Sequence, residues 1–178
     1  NNRFNSIYLD ACATTPINKE VLKEIVNIYE NYFGNPSSLH QDGILASEIL
    51  ERSRLSIAKN INSSINDIVF TSGATESVNL AIKGIASSIT PGRIVISSVE
   101  HPAVKQAALS LQSYGWNVDY WPVDKFGNIQ LKYLEKYLEK PTRIVSIIWG
   151  QSDIGTIQPI QFIGNACRER GIIFHTDA

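Results

Sequence analysis

The stretch Arg93-Ile94-Val95-Ile96-Ser97-Ser98-Val99-Glu100-His101-Pro102 decides the fold. A run of branched apolar residues with no polar alternation is what a strand covered on both faces requires. It stops at a polar loop, and Pro102 then opens a helical period over about 102–114. The same unit recurs on either side. Apolar runs at 68–70, 93–99, 118–123, 143–149 and 172–175 alternate with helical periods at 75–89, 102–114, 130–139 and 160–170. Gly92, Gly115, Gly127 and Gly171 punctuate the joins. Strands separated by helices of this length are joined by right-handed crossovers. The pattern predicts an α/β fold, a mostly parallel sheet with helices on both faces.

Upstream the grammar differs. After the short run Ile7-Tyr8-Leu9, a cap at Asn18 leads into Val21, Leu22, Ile25, Ile28 and Tyr29 at helical spacing. The turn-formers Gly34-Asn35-Pro36-Ser37-Ser38 break the chain, and a second helix is expected over about 43–60. The expected division is an N-terminal segment with two helices, 1–65, followed by an α/β domain, 66–178.

Composition removes several classes of function. The 178 residues carry 16 basic and 17 acidic side chains, a net charge of −1, and 43% are hydrophobic. That balance offers no attraction for nucleic acid or an anionic membrane. Two cysteines, Cys12 and Cys167, build neither a disulfide framework nor a structural zinc site, so a reducing compartment and no metal are expected. No run approaches the roughly 18–20 apolar residues of a membrane span, and Asn1-Asn2-Arg3 does not begin a signal peptide, so a cytoplasmic location is expected. The first residue is Asn, no Met is present, and the last apolar run stops abruptly, so a portion of a longer polypeptide is expected.

Ligands of such sheets bind outside the carboxyl ends of the strands. After the run 68–70 come Thr71-Ser72-Gly73-Ala74-Thr75-Glu76, opening a helix. Small residues admit close approach of an anion, and the helix start offers unpaired N–H groups, with the Ser72 and Thr75 hydroxyls as further donors. A helix cap uses the same residue types and reads equally well there. After 93–99 comes His101, a flat ring that could stack on a planar cofactor or shuttle a proton; an exposed loop histidine before Pro102 is its plainer reading. The last run ends at Asp177, a carboxylate that needs a cationic partner unless it simply caps a following helix. The run 143–149 exits into Gly150-Gln151-Ser152-Asp153-Ile154-Gly155-Thr156, a loop that could contact a ligand or merely turn. An anion cup, a stacking ring and a carboxylate at strand ends of one sheet together describe pyridoxal 5′-phosphate.

The sequence resembles the cysteine desulfurases of the class V aminotransferase group. The resemblance is carried by Tyr8-Leu9-Asp10 with Ala13-Thr14-Thr15-Pro16, by Phe33-Gly34-Asn35-Pro36-Ser37-Ser38 with His40, and by 68–76 with Asn79-Leu80-Ala81. Glu100-His101 and the run from Gly171 through His175-Thr176-Asp177-Ala178 complete it. It implies the large domain of a fold-type I pyridoxal phosphate enzyme, usually a homodimer, taking sulfur from L-cysteine to leave L-alanine and passing it to a protein acceptor in sulfur metabolism and iron–sulfur cluster assembly. By the same resemblance Ala74 and Thr75 bind the phosphate, His101 stacks on the ring and moves protons, and Asp177 pairs with the ring nitrogen. Ala13, Thr14 and Asn35 would lie near the substrate.

One position departs from the family pattern. Ser152 stands where the family usually has an Asn that touches the cofactor ring oxygen, with Gln151 as the alternative contact. The family's Schiff-base lysine and persulfide-forming cysteine have no counterpart among these residues. Cys12 sits in a loop and Cys167 is expected to be a small core residue. The chain alone is therefore expected to be inactive. Two other readings stay open: another class V enzyme (a selenocysteine or cystine lyase, or an aminotransferase), and a non-catalytic phosphate-binding α/β module.

Overall fold

The computed structural model describes residues 7–178, so the Asn1-Asn2-Arg3 start lies outside the described residues. Two compact units divide the chain, Asn1–Phe70 and Thr71–Ala178.

The first unit contains α1 (Lys19–Asn31) and α2 (Gln41–Asn60). The Asn18 side chain caps α1 by accepting from the Glu20 N–H at 2.8 Å. Between the helices, the Asn35 side chain accepts from the Ser37 N–H at 2.9 Å and turns the chain. Gly43, in the first turn of α2, lies so close to that turn that a Cβ would stand 2.7 Å from the Asn35 carbonyl oxygen. The apolar run 68–70 does not become a strand. It is extended, Val69 and Phe70 are exposed, and it pairs with no strand among the described residues. Its backbone is held locally instead, by Arg54 Nη1 donating to the Ile68 carbonyl.

The second unit runs α3 (Ala74–Ser88), β1 (Arg93–Ser97), α4 (Pro102–Ser110), β2 (Asn117–Trp121), α5 (Leu134–Leu138), β3 (Thr142–Ser146), α6 (Ile160–Glu169) and β4 (Ile173–His175). All pairings are parallel and the spatial order is β2-β1-β3-β4. Successive strand residues feed opposite faces. Ile94, Ile96 and Ile144 pack with Val78 and Ile82 of α3 and Val104 of α4. Val95 and Val145 pack on the other side with Leu138 of α5 and Ile163 and Cys167 of α6. The sheet is thus a middle layer between two helical layers, and the expected α/β class with a parallel sheet is what the chain adopts.

From β1 the chain passes to β2 on one side, then crosses to β3 on the other, and continues outward to β4. The reversal opens a crevice at the carboxyl ends of β1 and β3, the place where such sheets hold ligands. At the opposite edge Arg93 closes the sheet's foot. Its guanidinium donates to Thr142 Oγ1 at 2.7 Å and to the carbonyls of Lys136 and Glu139 at 2.9 and 3.0 Å.

Candidate active site

The strand exits bring three of the expected residues into one cleft. It has a volume of about 400 Å³ and is lined by His101 from beyond β1, by Ile148, Trp149, Gly150, Ser152 and Ile157 from beyond β3, and by Asp177 and Ala178 from beyond β4. Asp177 is carried there by strand pairing that outlasts β4. The Ile147 N–H donates to the His175 carbonyl at 3.1 Å, and the Trp149 N–H to the Asp177 carbonyl at 2.8 Å. His175 and Asp177 share a face. His175 turns its Nδ1 to Ser146 Oγ at 2.8 Å, and burial holds its ring below the ordinary imidazole range, with Asp177 acting in the opposite direction.

His101 is the N-cap of α4. Its Nδ1 accepts from the Ala103 N–H at 3.1 Å, so in the uncharged ring the proton sits on Nε2. The loop that follows β3 is closed by its own groups. Gly150 bridges to Ile157, and Gln151 Oε1 accepts from the Asp153 and Ile154 N–H groups at 2.7 and 3.0 Å. Gln151 turns its amide oxygen into the loop, and Ser152, not Gln151, lines the cleft.

The segment 71–76 differs from expectation in one respect. Ser72 gives both its N–H and its hydroxyl to Glu76 Oε2, at 2.6 and 2.5 Å, which holds the Glu76 carboxyl below its usual range. The Ser72 hydroxyl is thereby consumed. The helix start itself stays open. Gly73 caps α3 with no side-chain hydrogen bond, a Cβ there would meet nothing within 4 Å, and no hydrogen bond occupies the Thr75 hydroxyl among the described residues. The 15 residues of α3 end just before β1, so its first turn points back toward the sheet's carboxyl edge. Ala13, Thr14 and Asn35 belong to the first unit. Thr14 closes a turn through its N–H to the Asp10 carbonyl at 3.4 Å.

Glu100, which in the sequence is only the neighbour of His101 in the family motif, is a buried bridging group in the fold. Its Oε1 accepts from Ser97 Oγ at 2.7 Å and from the Ile148 N–H at 2.6 Å. Burial first, and Asp177 in addition, push its carboxyl up to about 7. A charged residue type in a loop carries no mark of burial, so only its place directly after a core strand could have singled it out.

Comparison with known proteins shows the family of the chain. The Aminotransferase class-V family matches residues 7–178. The cysteine desulfurase IscS of Dictyoglomus turgidum is 43% identical over 174 residues, 97% of this chain and 44% of that protein. A mitochondrial cysteine desulfurase of Candida albicans is 42% identical over 97% of this chain and 36% of its own length. A solved structure of SspA in complex with cysteine superposes with a TM-score of 0.91 at 36% identity, over 97% of this chain and half of that one. The chain belongs to the class V aminotransferases, and it spans less than half the length of these two sequence relatives. Proteins of this kind are pyridoxal phosphate enzymes.

The donor set suits that cofactor. An open helix start with free N–H groups and a free hydroxyl suits a phosphate dianion, a carboxylate in a cleft suits a protonated ring nitrogen, and an imidazole beside that carboxylate suits a flat ring. No helix of the described residues is long and apolar enough to cross a membrane, and no group of three or more His, Cys, Asp or Glu side chains among them could hold a metal.

Proposed function

We propose that the chain forms the cofactor-binding part of a pyridoxal phosphate-dependent cysteine desulfurase, which releases sulfur from L-cysteine and leaves L-alanine. The observation that carries this reading is the cleft shared by His101, Ser152 and Asp177 at the reversal point of the sheet, in a chain 43% identical to a cysteine desulfurase. Ala74 and Thr75 hold the phosphate with the backbone N–H groups and hydroxyl that open α3. Asp177 supplies the anion that keeps the ring nitrogen protonated. Bound there, the cofactor supplies an electron sink for the substrate's reacting carbon. His101, with Nδ1 engaged at the helix cap, would stack on the ring and exchange protons through Nε2.

In this reading none of the lysines or cysteines among these residues takes the anchoring or sulfur-accepting role, and the 178 residues by themselves are expected to show no turnover. The working enzyme is a cytoplasmic homodimer that hands its sulfur to a protein acceptor, in sulfur metabolism and iron–sulfur cluster assembly. A second reading has one specific support. Ser152, with a shorter side chain and a single hydroxyl, lines the cleft where the family carries Asn, which favours a class V enzyme of altered substrate, a selenocysteine or cystine lyase or an aminotransferase. Full-length protein given L-cysteine decides between them. Alanine with sulfide is expected; pyruvate with ammonia, or no turnover of cysteine alongside turnover of cystine, replaces the first reading with the second.

A further inference from the structure

Glu100 has no task in the reading above, yet it bridges the exits of the two strands that flank the crevice. One oxygen, Oε1, accepts both from Ser97 Oγ, at the end of β1, and from the Ile148 N–H, beyond the end of β3. The two strands it joins are those between which the chain reverses direction. The other oxygen, Oε2, is shut off from solvent and has no hydrogen-bond partner among the described residues. The charged group that acts on it is Asp177, from beyond β4; β1 and β3 offer it only a hydroxyl and backbone amides, and His101 follows it on its own loop. With a second carboxylate nearby and no cation facing it among the described residues, burial disfavours the charged form of this group relative to the neutral one.

We propose that Glu100 is a positioning residue, a clamp that ties the exits of β1 and β3 together and so fixes His101 relative to the Trp149–Ser152 loop. The proposal rests on the reading that this cleft receives pyridoxal phosphate. Glu100→Gln keeps the accepting oxygen and replaces the acid with a neutral amide of the same shape. Glu100→Ala removes the clamp and leaves the buried Ile148 N–H without its partner.

The test uses the full-length protein and both variants. Pyridoxal phosphate itself is titrated into each apo form and followed by its visible absorbance, and hydrogen exchange of the apo forms is read in peptides covering 98–104 and 147–156. Glu100→Ala is expected to weaken cofactor binding about tenfold or more and to speed exchange in both peptides together, while peptides of β2 and α5 stay protected. Glu100→Gln is expected to stay within about threefold of the wild type in affinity and to keep both peptides protected. The clamp is overturned if Glu100→Ala binds the cofactor as the wild type does, if it leaves either peptide protected, or if Glu100→Gln fares no better than Ala. A wild type that binds no pyridoxal phosphate overturns the cofactor reading instead, and the exchange comparison then decides the clamp alone.

Discussion

Asp177 is held by its backbone before its side chain does anything. The Trp149 N–H at 2.8 Å fixes its carbonyl, and the Thr176 hydroxyl donates to the Ile147 carbonyl at 2.8 Å beside it. The carboxylate is therefore presented at one height in the cleft, and in the full-length enzyme Asp177→Asn is expected to lower turnover by orders of magnitude, measured as alanine formed, because a neutral amide does not keep a ring nitrogen protonated. Unchanged turnover would remove Asp177 from the site. Thr75→Val keeps the shape of α3's first turn and removes its free hydroxyl, so cofactor affinity is expected to weaken by about 1–3 kcal/mol, read by equilibrium titration; equal affinity would make the segment a helix start and nothing more. Glu100 gives a pH signature. Its carboxyl titrates at about 7 in the fold against an ordinary 4.5. Between those values the folded state holds the extra proton, so stability falls as pH rises from 4.5 to 7, by about 3 kcal/mol for the whole shift. His175 has the opposite sign, because a ring held below its ordinary 6.5 costs stability as pH falls below that value. Urea midpoints of Glu100→Gln are expected to lack the wild type's decline toward pH 7. A decline of the same size in the variant would assign it to other groups.

Elements were legible where their periodicity was long and their caps were explicit. Asn18 caps α1, and Pro102 starts α4. The misjudged element is 68–70, where three apolar residues read as a strand. A strand of three gains too little from burial alone; it needs partners on a sheet edge, and among the described residues it has none. The sequence also suggested a side-chain cap at 71–76, since Ser, Gly and Thr serve both purposes. In the fold Gly73 carries no side chain to cap with, and Ser72 is diverted to Glu76. β1 depends on its first residue. Arg93 has only 12% of its side chain exposed and serves Thr142 Oγ1, the Lys136 and Glu139 carbonyls and, at 3.4 Å, Asp119. Arg93→Ala strips a partner from each and is expected to cost about 2–4 kcal/mol of stability by chemical denaturation. A loss within a few tenths of a kcal/mol would mean water replaces the guanidinium.

At the scale of the molecule, the succession of strands and helices fixed the class of fold from spacing alone, but the order β2-β1-β3-β4 is not written in it. Right-handed crossovers allow each new strand on either flank of the sheet. The cleft is a product of that order, because His101, Ser152 and Asp177 meet only once β1, β3 and β4 stand side by side. The motifs pointed to each residue separately, and their agreement pointed to a cofactor. The partner that joins their strands, Glu100, required coordinates, since its two donors lie 3 and 48 positions away. Parallel pairing of Ile144 with Ile173, Val145 with Phe174 and Ser146 with His175 carries on to Trp149 and Asp177. Side chains along such a ribbon obey an odd–even rule. Inserting one residue into β4 would hand the acidic group to the opposite surface, while inserting two would restore its aspect but carry it about 6–7 Å along the strand. Evolution can therefore lengthen the turns around this sheet freely, but the count of residues between Gly171 and Asp177 is a ruler it cannot recut.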